Sequence, residues 1–257
     1  MPPVFDSVVA VLRSAGCVFA EDEAELILST ASNPDDIATM VDRRVAGLPL
    51  EHVLGWAWFH GLRIAVEPGV FVPRRRTEFL VDQAVAHARD ASLVVDLCCG
   101  SGAVGAALAA SLGGPELHAA DIDAAAVRCA RRNVAPFDGH VHEGDLFAAL
   151  PDSLCGRIDI LAANVPYVPT DEVGLLPAEA REHEPLVALD GGSDGLDVLR
   201  RVAAEAPRWL APGGCLLIET SERQAPRAVE AFTRGGLTGR LAVSDELYAN
   251  VVIGTRA

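Results

Sequence analysis

Leu93-Val94-Val95-Asp96-Leu97-Cys98-Cys99-Gly100-Ser101-Gly102 decides the architecture. The run Leu93 to Leu97 has the length and apolar content of a buried strand, and it passes without a linker into a short glycine loop. An alanine-rich segment with the composition of a helix, Val104 to Ser111, follows at once. A strand that hands over to a helix through such a loop is the repeating unit of an open α/β sheet, with a nucleotide lying over the helix start. Gly100 and Gly102 stand where a side chain would keep the backbone away from a ligand's ribose or carboxylate. The loop is not a full G-x-G-x-x-G, since Cys98 holds the first glycine's place, and no lysine follows as in a phosphate-binding loop. The pattern disfavours both a dinucleotide and ATP.

Downstream, Glu116 to Asp121 reads as a second strand, with a helix over Ala124 to Asn133. Further short strands fit His140 to Glu143, Ile158 to Asn164, Gly214 to Thr220, Thr238 to Val243 and Val251 to Thr255. The expectation is an α/β fold with a seven-stranded, mostly parallel, doubly wound, Rossmann-like sheet. Upstream, Thr77 to Ala88 reads as a helix. The segment 52–72 carries Trp56, Trp58 and Phe59, then Gly61, then alternating Leu62, Ile64 and Val66 before Pro68-Gly69, the pattern of a β-hairpin. Before it, Phe5, Val8, Val9 and Leu12, then Ala24, Ile27 and Leu28, then Ile37, Met40 and Val41 recur at helical spacing. They predict three short helices, with Asp22 and Asn33-Pro34 as starts. The expected organisation is a helical substrate-recognition domain over 1–51, a hairpin linker over 52–72 and the α/β domain over 73–257.

The 257 residues are 50% hydrophobic, enough for one sizeable core and a smaller unit. A net charge of −15 disfavours a long phosphate-tracking surface, so direct nucleic-acid binding is not expected. Six cysteines form no C-x-x-C pair, which points to reduced thiols and a cytoplasmic protein. No export signal or membrane span is visible.

The candidate chemistry lies beyond the strand Ile158 to Ala163, in Asn164-Val165-Pro166-Tyr167-Val168-Pro169. Asn164 offers a side-chain oxygen, Val165 a main-chain carbonyl in a conformation that Pro166 restricts, and Tyr167 a flat apolar face. Together they suit a planar amide or amino group, although the same residues serve in ordinary strand-to-loop turns. Asp121, at the end of the second strand, suits a ribose diol. Asp145, in Gly144-Asp145-Leu146-Phe147, suits an adenine amino group. Either aspartate equally suits a helix cap or a solvated turn. His140, His142 and His183 have no third ligand at useful spacing, so no metal is expected. Gly191-Gly192 reads as a turn.

Taken in order, Asp96 to Gly102, Asp121, Gly144 to Phe147 and Asn164 to Tyr167 resemble a class I S-adenosylmethionine-dependent methyltransferase. More narrowly, the chain resembles the HemK family of protein-glutamine N(5)-methyltransferases, which modify the glutamine of a Gly-Gly-Gln motif in peptide release factors. The narrower likeness rests on Gly69 to Arg74 with Thr77-Glu78, on Glu184-Pro185, and on Ala188 to Gly192 with Asp194-Gly195-Leu196. The resemblance implies S-adenosylmethionine as cofactor, held by Asp96, Cys98, Cys99, Gly100, Ser101, Gly102, Asp121, Asp145, Leu146, Asn164 and Phe71. It implies a catalytic turn of Asn164, Val165, Pro166 and Tyr167, and a release factor as partner. Glu184 and Glu78 are weaker candidates for shaping the pocket. Two positions depart from the family: Val165 replaces a proline, and Arg75-Arg76 replace a proline and an acid. The alternatives are an N(6)-adenine methyltransferase and a noncatalytic relative that binds the cofactor; a nicotinamide oxidoreductase is disfavoured by the short loop.

Overall fold

The computed structural model describes residues 2–257. Helices α1 (Pro2–Ser14), α2 (Ala20–Thr30), α3 (Pro34–Val45) and the short α4 (Leu50–Leu54) come first. The start of α3 follows the expectation, with the Asn33 side chain accepting the Asp36 N–H at 2.9 Å and Pro34 in the first turn. Helix α2 instead begins at Ala20. Asp22 lies in its first turn with Glu21 and Glu23, where the three carboxylates face the positive end of the helix dipole. Val8, Leu12, Ala24, Ile27, Val41, Leu54 and Trp56 close a small core of their own.

His52 belongs to α4, which ends at Gly55 in a left-handed conformation, so the expected hairpin is shorter. Its strands are β1 (Trp56–Phe59) and β2 (Leu62–Ala65), paired antiparallel from Trp56↔Ala65 to Phe59↔Leu62. The turn residues His60 and Gly61 both have positive φ, at 48° and 76°, as a two-residue hairpin turn requires.

The α/β unit follows as α5 (Glu78–His87), β3 (Leu93–Leu97), α6 (Ala103–Leu112), β4 (Glu116–Asp121), α7 (Ala124–Val134), β5 (His140–Glu143) and β6 (Ile158–Ala163). After it come α8 (Ala178–His183), α9 (Asp197–Trp209), β7 (Leu210–Thr220), α10 (Ala225–Arg234), β8 (Thr238–Ser244) and β9 (Ala249–Thr255). The seven-stranded sheet has the order β5-β4-β3-β6-β7-β9-β8, parallel except where β9 pairs antiparallel with both β7 and β8. Both faces are covered. On β3, Leu93, Val95 and Leu97 enter one core layer and Val94 the other, the alternation that strand geometry imposes.

From β3 the chain builds outward through β4 to β5, then returns to β6 on the opposite side. The carboxyl ends of β3, β4 and β6 therefore flank a topological switch point, the place where an open α/β sheet leaves a ligand crevice.

Candidate active site

A cavity of about 490 Å³ opens at that switch point, within the size range of cofactor pockets. Its floor is the glycine loop. Gly100 and Gly102 have φ of 53° and 76°; a Cβ on Gly102 would lie 3.2 Å from the Ala130 backbone, whereas one on Gly100 would meet only the Phe71 Cβ, at 4.0 Å. Cys98 shares the left-handed conformation at φ 53°, a strain of about 1 kcal/mol for a residue with a side chain. Cys98, Cys99, Gly100 and Ser101 all line the cavity.

Two aspartates fix the loop. Asp121 Oδ2 accepts the Gly100 N–H at 2.8 Å and Oδ1 the Asp123 N–H at 2.9 Å, while burial raises its carboxyl above the ordinary range. Asp96 is 1% exposed and accepts the Gly105 N–H at 2.8 Å. Burial pushes its pKa up to about 7, against the pull of that N–H. Asp145 and Leu146 also line the cavity, and Asp145 Oδ2 is held by Arg201 at 2.6 Å.

Sequence reasoning missed Asn133. Its amide accepts the Ala65 N–H at 2.8 Å, donates to the Ala65 carbonyl at 2.9 Å and to the Ser101 carbonyl at 2.8 Å. One side chain on α7 thus ties the hairpin to the glycine loop. An asparagine near a helix end carries no such signal in sequence.

The far wall is the turn after β6. Asn164, Val165, Pro166 and Tyr167 all line the cavity, and the Asn164 Oδ1 is buried without a hydrogen-bond partner. The Val165 side chain is 1% exposed and packs into the core beneath the sheet. Core packing and the following proline therefore restrain the backbone at Val165. The loop after α8 buttresses the turn: Val168 N–H donates to Leu189 at 3.0 Å, and Gly191 N–H to Val168 at 2.8 Å. Gln224 Nε2 reaches the Tyr167 carbonyl at 2.8 Å and the Asp194 carbonyl at 2.9 Å. A Cβ on Gly191 would sit 2.6 Å from the Pro166 carbonyl oxygen, so Gly191 is required by close approach.

Phe71 lines the cavity, with the Arg74 guanidinium 4.9 Å from its ring centroid. Glu184 holds that strand-like segment: its carboxylate accepts the Val72 N–H at 3.1 Å and takes Arg74 through both oxygens, at 2.6 and 2.7 Å. Glu78 does not line the cavity; it accepts the His60 N–H at 2.9 Å and anchors the hairpin turn. Thr77, quoted in sequence only as part of a motif, lines the cavity with a buried, unpartnered hydroxyl. His140 and His142 stack beside His118 on β4 and β5, with His118 Nδ1 and His142 Nε2 2.9 Å apart. Among the described residues, no group of three or more His, Cys, Asp or Glu is arranged to hold a metal.

This sheet order and this cleft define the class I methyltransferase fold. A solved methyltransferase from Pyrococcus furiosus superposes with a TM-score of 0.58 at 16% identity, covering 77% of this chain and 90% of that one. The family profile described as Methyltransferase small domain matches residues 61–175. A release factor glutamine methyltransferase from Geobacter sulfurreducens is 37% identical over 229 residues, 87% of this chain and 80% of the relative. The 4-amino-L-phenylalanine/4-methylamino-L-phenylalanine methyltransferase of Streptomyces pristinaespiralis is 36% identical over 205 residues, 76% of this chain and 69% of the relative.

The chain belongs to the release factor glutamine methyltransferase family. It is an enzyme whose methyl donor is S-adenosylmethionine, and the cleft fits that donor. The open space above Gly100, the Asp121 carboxylate and the acidic lining suit a nucleoside joined to a cation. No helix among the described residues is long and apolar enough to cross a membrane.

Proposed function

We propose that the chain methylates the side-chain amide nitrogen of a protein glutamine, that of the Gly-Gly-Gln motif in a peptide release factor. The Asn164 Oδ1 carries the reading. It is a buried acceptor with no partner in the protein, and leaving such a group empty costs roughly 1–3 kcal/mol. An incoming N–H relieves that cost. The main-chain carbonyl of Val165, next along the wall, takes the second N–H, so a primary amide fits the pair.

When bound, S-adenosylmethionine supplies an electrophilic methyl group on a sulfonium. Asp121 would hold its ribose, Asp145 and Leu146 its adenine, and Cys98 to Ser101 would border it, with Gly102 set behind them against Ala130 and outside the cavity lining. An amide nitrogen is a weak nucleophile because its lone pair is delocalised into the carbonyl. Asn164 and Val165 aim that lone pair and favour its localisation on nitrogen. Orientation of this kind supplies roughly 7 to 11 kcal/mol of barrier reduction. Tyr167 and Phe71 border the amide with aromatic surface and exclude water.

Residues 1–51 act as the unit that meets the protein substrate, 52–72 as the linker and 73–257 as the transfer domain. In support, Pro49 and Glu51 line the cavity, and Arg44 on α3 donates to Glu179 on α8 at 2.6 Å, bridging the helical unit to its wall. The free cysteines fit a cytoplasmic setting. The test is incubation of purified chain, donor and release factor, followed by mass spectrometry of the tryptic peptides. A gain of one methyl group confined to the Gly-Gly-Gln glutamine is expected; an unmodified release factor contradicts the assignment. Transfer only to 4-aminophenylalanine would reassign the acceptor to a free arylamine.

A further inference from the structure

The structure gives Arg76 a defined place. Its Nε donates to Glu219 Oε1 at 2.9 Å, and its Nη2 donates to the Tyr167 hydroxyl. The Tyr167 hydroxyl in turn donates to the same Glu219 oxygen at 3.2 Å. Glu219 is 2% exposed, so a buried carboxylate fixes one edge of the guanidinium. Its Nη1 has no protein partner among the described residues. The side chain is 45% exposed and lines the cavity beside Tyr167.

We propose that the free Nη1 edge of Arg76 is an acceptor-recognition subsite that binds a neutral main-chain carbonyl of the substrate, so that the site takes a peptide and rejects a free carboxylate. The proposal rests on the amide-methylating reading above.

The charge balance of the cleft selects the neutral partner. Each arginine lining it is already paired: Arg74 with Glu184, Arg76 with Glu219, Arg201 with Asp145. Glu51, Asp121 and Asp123 also line it and have no cation partner among the described residues. A carboxylate entering beside Tyr167 would meet this unneutralised field, whereas a carbonyl oxygen takes the guanidinium N–H without adding charge. Arg76 is thus a specificity-determining residue that also positions Tyr167.

The experiment uses the full chain saturated with S-adenosylhomocysteine and two probes, acetyl-Gly-Gly-Gln-amide and acetyl-Gly-Gly-Gln with a free carboxylate, titrated by NMR. The wild type is expected to bind the neutral peptide about tenfold more tightly than the charged one, because the added carboxylate is repelled by the unpaired acids of the cleft. Arg76→Gln should lose about tenfold for the neutral peptide. Arg76→Lys keeps a cation beside Glu219, preserves the melting temperature and still loses the peptide, which separates recognition from folding. Tyr167→Phe removes only the phenolic link, and the double variant Arg76→Lys/Tyr167→Phe should bind more weakly than Tyr167→Phe alone. The proposal is overturned if Arg76→Lys binds the neutral peptide as the wild type does, if the double variant equals Tyr167→Phe, or if the wild type fails to prefer the neutral peptide. Release-factor methylation is read separately by mass, so loss of that reading and loss of this one are distinguishable.

Discussion

Gly191→Ala tests whether the shape of the Asn164 turn is imposed from behind by the 189–195 loop. A Cβ at this position would lie 2.6 Å from the Pro166 carbonyl oxygen and 2.7 Å from that of Gly195, both backbone atoms. Real Cβ atoms do not approach closer than 3.0 Å, so the turn must retreat by about 0.4 Å, the difference between 3.0 and 2.6 Å. Overpacking of this kind costs roughly 1–3 kcal/mol, offset in part by the 0.4–1 kcal/mol that alanine gains by stiffening the unfolded chain. A misplacement of 1 Å in a catalytic constellation costs about 100-fold in rate, so a shift of this size costs roughly tenfold in kcat. Gly191 does not line the cavity, so donor affinity should stay within about twofold of the wild type. Gly174→Ala is the control, because no atom lies within 4 Å of its added Cβ. Turnover of labelled donor, donor titration calorimetry and thermal unfolding are measured on all three proteins. Wild-type turnover and melting in Gly191→Ala would refute the reasoning.

Cys98→Gly should leave stability within about 0.5 kcal/mol of the wild type, because the roughly 1 kcal/mol of left-handed strain relieved is offset by the roughly 0.5–1 kcal/mol that glycine's freedom in the unfolded chain costs. A shift in denaturant midpoint worth more than about 1 kcal/mol at unchanged slope would contradict it. Asp96 carries a pH signature: its folded pKa is about 7 against an ordinary 3.8, so between those values the folded state holds the extra proton. Stability should therefore fall as pH rises from about 4 to 7 and level off above, by at most about 4 kcal/mol, a span of roughly 3 pH units at 1.36 kcal/mol each. Asp96→Asn keeps an acceptor for the Gly105 N–H and abolishes that decline; parallel stability curves for the two proteins from pH 4 to 8 would refute the assignment.

Local patterns carried much of this into view. The β3 strand, its glycine loop and the β6 turn are each written within about ten consecutive residues, and apolar runs, glycines and prolines mark their ends directly. Helix α9 was not anticipated from the sequence: Leu199, Val202, Ala203 and Ala206 keep helical spacing, but Pro207 in its last turn reads as a break. Helix α10 buries mainly alanines, whose periodicity is faint in an alanine-rich chain. The site's supports are of another kind. Arg76 meets Glu219 across 143 residues, Asn133 meets Ala65 across 68, and Gln224 meets Tyr167 across 57. Such pairs depend on the strand order and on which helix face turns inward. Neither is fixed by the residues nearby, so the motifs could be recognised before the reason for Gly191, Gln224 or Glu184 was apparent.

The central claim is that the Asn164 side-chain oxygen receives the amide of the acceptor and contributes to transfer by aiming it. Asn164→Ala removes that oxygen and leaves the glycine loop, Asp121 and the Val165 carbonyl in place. Single-turnover methyl transfer to the release factor, measured beside donor affinity, separates the two roles. A loss of transfer of at least about 100-fold is expected, with donor affinity within about threefold of the wild type. Transfer at the wild-type rate, or a fall in donor affinity as large as the fall in rate, would contradict it.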